Sequence, residues 1–145
     1  MSTVATILKH KGYQVSTVDP TARISAVAAL LSERRIGAAL VIDKAEQMLG
    51  IVSERDIVRC LAANGARTLE MTAGQLMTRA VQVVHPDTTA FQAMQIMTAG
   101  RFRHLPVIDR DTLVGVISIG DVVKARIMEQ DTAVESLTAY VSGSA

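Results

Sequence analysis

Apolar positions in this chain follow two periods, one helical and one strand-like, and the whole pattern occurs twice. Ile24, Val27, Ala28 and Leu31 stand at i, i+3, i+4 and i+7, and Ala90, Ala93, Met94 and Met97 repeat the spacing, so each set predicts an amphipathic helix. A short apolar run precedes each, Val15 to Val18 and Val81 to Val84, followed by a proline with Asp or Thr residues that suit a turn and helix start. After each helix come two β-rich runs around a polar turn: Ala38 to Ile42 with Leu49 to Val52, and Leu105 to Ile108 with Leu113 to Ile117. They predict hairpins whose continuous apolar character implies strands covered on both faces or held in a two-layer core. A second helix follows each hairpin, from about Glu54 to Ala63 and from about Ile119 onward.

The two stretches align residue by residue. Pro20 falls on Pro86, Arg35 on Arg101, Val41-Ile42-Asp43 on Val107-Ile108-Asp109, Gly50 on Gly115, Ser53 on Ser118 and Asp56 on Asp121. One residue is lost between the Asp and Gly landmarks, where a turn belongs. The predicted fold is α+β: two βαββα repeats, each too small to bury both faces of its sheet alone, packed together in a single module over 1–145. Repeat one spans 14–65 and repeat two 76–130, with 1–13 and 131–145 as flanking helical segments. Gly100 is expected to end the helix of the second copy, and Asn64-Gly65 to stop the first copy. In the tail, Val123, Ile127, Val134, Leu137 and Val141 form an apolar stripe that invites a partner helix, or covers its own module.

Composition narrows the class. At 145 residues the chain is long enough to bury a core without disulfides or a structural metal, and with two Phe, two Tyr and no Trp that core is aliphatic. A formal charge of +1 gives no broad electrostatic footprint for a phosphate polymer or an anionic bilayer, so neither nucleic acid nor membrane is an expected partner. Charges such as Arg23, Glu33, Arg34 and Asp43 interrupt every apolar run well short of the ~20 residues that span a bilayer. The single Cys60 has no internal partner, and MSTVATILKHKG lacks the order of a secretory signal; a reducing cytoplasm is expected.

The candidate chemistry lies in Gly50-Ile-Val-Ser-Glu-Arg-Asp56 and its second copy Gly115-Val-Ile-Ser-Ile-Gly-Asp121. Two readings compete. Ser53 to Asp56 and Ser118 to Asp121 both fit a capping box, in which the Ser hydroxyl and the acid satisfy backbone N–H groups at a helix start. The glycines then serve close backbone packing. Alternatively, the helix start is an anion site, the Asp accepts hydrogen bonds from the two vicinal hydroxyls of a ribose, and the Gly leaves room for the ligand. Adenine slots would be lined by Val15, Ser16, Thr17 and Val18 with Ala38 and Ala39, or by Val81, Val83 and Val84 with Leu105 and Pro106.

With its paired βαββα frame, the RHLPVID of copy two and the Gly-x-x-Ser-x-x-Asp of both copies, the chain resembles a tandem cystathionine-β-synthase (CBS) domain pair, or Bateman module, over about residues 14 to 130. The resemblance implies two intertwined units about a pseudo-twofold axis, two clefts that bind adenine nucleotides or adenosyl ligands, and pairing into a disc-like homodimer. It carries ribose binding onto Asp56 and Asp121 with Ser53 and Ser118, and brings Met77 toward the second cleft or else into the core. Phosphate contacts are expected from Arg55, Arg101, Arg103 and His104, with Arg35 as a weaker choice because it closes a helix. Glu54-Arg55 stands where copy two has Ile119-Gly120, so the two sites should not bind alike. AMP is the first choice of ligand, with ADP, ATP and NAD as others; the basic residues argue against the cationic S-adenosylmethionine. The implied role is a non-enzymatic regulatory module acting on a separate effector chain, and the alternative is a ligand-free interaction scaffold.

Other chemistry is set aside. Gly115 to Gly120 has phosphate-loop spacing, but Asp121-Val122 replaces the Lys and Ser/Thr that the loop needs, and no Gly-x-Gly-x-x-Gly follows a strand. His10, His85 and His104 show no metal-ligand spacing, and His85 before Pro86 suits a turn. No metal is expected. Cys60 among Ile57, Val58 and Leu61 reads as a small buried hydrophobe, and Met94 and Met97 as core.

Overall fold

A computed structural model describes residues 2–79 and 81–141, excluding the side chains of 132–136 and 138–141; Val134 and Val141 of the apolar stripe lie outside the described side chains. In chain order the elements are α1 (Val4–Lys11), β1 (Thr17–Val18), α2 (Ile24–Arg34), β2 (Ala38–Ile42), β3 (Met48–Ser53), α3 (Glu54–Asn64), a 3₁₀ helix (Gly65–Glu70), α4 (Ala73–Leu76), α5 (Ala90–Gly100), β4 (His104–Asp109), β5 (Thr112–Ser118) and α6 (Ile119–Val141). They form two compact units: Val15–Val81 holds the first repeat, and Met1–Gln14 with Gln82–Ala145 holds the second.

In the first-repeat unit β1 runs parallel to β2, and β2 pairs antiparallel with β3, with a register shift between Val41 and Ile42. The helical period of α2 buries Ile24, Val27 and Leu31 against Val41 and Val52 of the sheet and Ile57 of α3. In the second-repeat unit β4 and β5 pair antiparallel with the equivalent shift between Val107 and Ile108, and α5 buries Ala90, Ala93 and Met97. The strand expected over Val81 to Val84 contracts to one bridge, Val84 parallel to Val107. The Val81 N–H turns back to the Arg79 carbonyl at 2.9 Å, which takes it out of any ladder. Strand β1 is likewise shorter than Val15 to Val18, although the Ser16 carbonyl still accepts the Leu40 N–H at 3.0 Å.

The segment read as an N-terminal flank is part of a core. Val4, Ile7 and Leu8 of α1 are buried among Val84, Ala93, Leu105 and Ile117, worth about 1.5–3 kcal/mol for each large side chain so covered. Backbone bonds fix the docking: Val4 N–H to Thr88 O at 2.7 Å, Ala5 N–H to Pro86 O at 2.9 Å and Ala90 N–H to Ser2 O at 2.9 Å. Segment 71–74 docks on the first repeat in the same way, with Ala73 N–H to Ala22 O at 2.8 Å, Gly74 N–H to Pro20 O at 2.9 Å and Ile24 N–H to Met71 O at 2.8 Å. Each repeat is thus completed by the short helix that precedes the other repeat in sequence.

Helix ends also differ in detail from expectation. Gly100 is the last helical residue of α5, and the left-handed position falls on Arg101 at φ 58°, as it falls on Arg35 at φ 53° after α2. Gly100 is needed for space instead, because a Cβ there would stand 2.1 Å from the Phe102 ring.

Candidate functional site

Strands β3 and β5 each run into a helix through the Ser-x-x-Asp box, and in both units the box closes. Ser53 Oγ accepts the Asp56 N–H at 3.2 Å, and Asp56 Oδ2 accepts the Ser53 N–H at 2.9 Å and its hydroxyl at 2.9 Å. Ser118 Oγ accepts the Asp121 N–H at 3.1 Å, and Asp121 Oδ2 accepts the Ser118 N–H at 2.8 Å. The first helical N–H is also taken: Glu54 donates to Gly37 O at 2.9 Å and Ile119 to Arg103 O at 2.8 Å. Among the described residues this leaves each motif one carboxylate oxygen, Oδ1, and one helix N–H, that of Arg55 or Gly120. The anion site expected from a bare helix start is therefore reduced to a single donor, and the capping reading holds in full.

The glycines are occupied by protein. A Cβ on Gly50 would lie 2.6 Å from the Thr78 carbonyl oxygen, which pairs with the Ile51 N–H at 3.1 Å, and 3.0 Å from Met77 Sδ. A Cβ on Gly115 would lie 2.7 Å from Leu8 Cδ2. Room for a ligand is not what these glycines provide; they admit the short completing segment of their own unit, and Met77 is buried in the core of the first-repeat unit.

The second motif carries a cation that the repeat alignment did not reveal. Lys11, the last residue of α1, donates to Asp121 Oδ2 at 2.7 Å and to the Val116 carbonyl at 2.9 Å. Burial works to raise the pKa of Asp121, but the Lys11 ammonium and the Ser118 N–H outweigh it and hold the carboxyl below its ordinary range. The sequence marks the two completing segments but not the contact of Lys11 with Asp121: Thr3 and Thr72 cap α1 and α4, accepting from Thr6 N–H and Gln75 N–H. Their spacing differs from that of the repeats, which is why an alignment of the repeats passes over them.

Residues 5–63 and 73–127 match the family model of the CBS domain. The chain belongs to the CBS-domain family. It is 34% identical to the CBS domain-containing protein CBSX3, mitochondrial, of Arabidopsis thaliana, over 98% of this chain and 73% of that protein. The crystal structure of the CBS-domain containing protein ATU1752 from Agrobacterium tumefaciens superposes with TM-score 0.84 at 44% identity, covering 86% of this chain and 93% of that one. That of CBSX2 in complex with AMP gives TM-score 0.69 at 27% identity, covering 90% and 99%.

Within the CBS frame the other candidate residues take distinct places. Ala38 and His104 stand opposite Ser53 and Ser118 in the strand registers, beside the box. Arg103 is next to the second box through its carbonyl, and its side chain is exposed. Arg35 lines a groove of about 520 Å³ with Gly37, Glu54 and Ile57, at the start of α3. Arg55 and Arg101 are exposed, and among the described residues none of these four arginines holds an ion pair. Of the adenine candidates, Ala39, Leu105 and Pro106 are buried, Val15, Ser16, Ala38, Val81 and Val83 are half-buried, and Thr17 is exposed. Ser16 Oγ already accepts from Arg34 at 2.9 Å. Cys60 is not a plain hydrophobe: its half-buried sulfur accepts from Asn64 Nδ2 at 3.2 Å and Thr68 Oγ1 at 3.5 Å. His85 closes the turn before α5, its Nδ1 bonding the Ile108 carbonyl at 2.9 Å. Among the described residues no helix is long and apolar enough to cross a membrane.

Proposed function

We propose that the chain is a non-enzymatic regulatory module that binds an adenine nucleotide through Asp56 and Asp121 and signals occupancy to a separate effector chain through a change of packing. AMP is the first choice, ahead of ADP, ATP and NAD. The observation that carries the reading is the pair of closed boxes, each leaving one carboxylate oxygen and one helix N–H unused beside basic residues. A carboxylate oxygen suits the ribose hydroxyls and the N–H suits a phosphate. Support also comes from the structural relative described in complex with AMP.

Calorimetric titration with AMP tests it. Asp56→Ala and Asp121→Ala are each expected to weaken their own site by about 10- to 150-fold, the range for a hydrogen bond to a charged group. Unchanged affinity and stoichiometry in both variants would sink the assignment. The scaffold reading draws on a different observation, the complete use of both boxes as caps and both glycines as packing sites. It expects no thermal shift of the wild type with AMP, ATP or NAD. Self-association into a homodimer is part of the proposal, favoured by the exposure of Val123, Ile127 and Leu137 along α6. A native mass measurement would report the dimer together with any ligand carried through purification. The single cysteine favours a cytoplasmic address.

A further inference from the structure

We infer that Lys11 supplies the phosphate-binding cation of the second motif, so that this site takes a phosphorylated adenosine in preference to a neutral one. The inference rests on the nucleotide reading above and names the residue that would select the ligand's charge. A lysine ammonium has three N–H donors. Two are fixed on Asp121 Oδ2 and the Val116 carbonyl, which hold Nζ in place, and the third has no partner among the described residues, with the side chain one-third exposed at 34%. Because Lys11 and the Ser118 N–H share Oδ2, Oδ1 is left for a ribose hydroxyl. An ammonium between a carboxylate and a phosphate also removes the repulsion that Asp121 alone would exert on the ligand.

The surroundings fit the same chemistry. Lys11 and Asp121 open onto a cavity of about 140 Å³ whose lining also includes Thr6, His10 and Lys124. Among the described residues Asp121 is the one acid in that lining, against two lysines and a histidine, with Ile7, Ala125 and Met128 supplying its apolar wall.

Comparison with the first motif explains why a distant residue is needed. There the box itself carries Arg55, where the second has Gly120. Leu8 covers Gly115 as Met77 covers Gly50, and Lys11 stands three positions after Leu8 on α1. The first box thus has an arginine within it, and the second receives a lysine from α1.

The test is titration of the full chain, its Lys11→Ala and its Lys11→Arg variants with adenosine, AMP and ATP. Lys11→Ala is expected to weaken AMP by about 10-fold and ATP at least as much, with adenosine changed by less than about 2-fold, while Lys11→Arg keeps AMP within about 3-fold. Melting of each unliganded variant checks that it is folded, and Lys11→Gln, which removes the charge but retains N–H donors, takes its place if Lys11→Ala is not. Equal loss with all three ligands, or no loss with AMP, overturns the inference. If AMP binding falls in Asp121→Ala but not in Lys11→Ala, only this inference fails; if the wild type binds none of the three, the nucleotide reading fails with it.

Discussion

The Ser-x-x-Asp box of the first motif closes within its own repeat, and that of the second borrows from the N-terminal helix. In the first, the Ser53 hydroxyl both accepts from the Asp56 N–H and donates to Oδ2. In the second, Lys11 sits on that oxygen as well. The two glycines differ similarly: Gly50 is closed by backbone, the Thr78 carbonyl at 2.6 Å, and Gly115 by the tip of a side chain, Leu8 Cδ2 at 2.7 Å. Two sites of one origin can thus share a hydrogen-bonded frame and still differ in which part of the chain each depends on.

The largest expected difference is at the glycines. Gly50→Ala forces a methyl into a carbonyl that is itself tied to Ile51, so the backbone must move; about 2–3 kcal/mol should be lost. Gly115→Ala meets a leucine that can change rotamer, and about 1 kcal/mol or less should be lost. Urea unfolding of both variants measures this, and equal losses would show that Leu8 is held as rigidly as backbone.

The same contrast shows what the sequence made visible. The βαββα frame was legible because apolar period and turn residues recur together, and Ile24, Val27, Leu31 and their counterparts Ala90, Ala93 and Met97 are buried as their spacing requires. Both boxes were legible because capping is local, set by residues three apart. What escaped depends on contacts between distant segments. Nothing near Lys11 signals that it meets Asp121, 110 residues on, and nothing near Gly50 signals Thr78. The left-handed Arg35 and Arg101 escaped for another reason: propensity assigns that conformation to glycine, and here an arginine at each site bears a cost of about 1 kcal/mol or more.

A smaller difference is expected at the serines. Ser53→Ala removes two hydrogen bonds with Asp56 and should cost about 1–2 kcal/mol. Ser118→Ala removes the acceptor for the Asp121 N–H while Lys11 still holds the carboxylate, so about 0.5–1 kcal/mol is expected. Thermal melts in one buffer suffice, and a larger loss at Ser118 would mean that Lys11 does not substitute for the hydroxyl.

The smallest effect is a pH dependence special to the second motif. Because the folded-state pKa of Asp121 lies below its ordinary value, its contribution to stability is fully present above the usual carboxylate range and is lost as pH falls through the depressed value. Lys11 is a main source of that depression, so Lys11→Met should be less stable than wild type near neutrality, and the gap should narrow as pH falls below the usual carboxylate range and through the depressed value. The partners are 34% and 23% exposed, and solvent screening limits the gap to about 1 kcal/mol or less. Urea midpoints at pH 7, 4 and 3 would follow it. A gap that persists unchanged at pH 3 would assign Lys11's contribution to its bond with the Val116 carbonyl and to its methylene packing; the second motif would then depend on α1 for structure and not for charge.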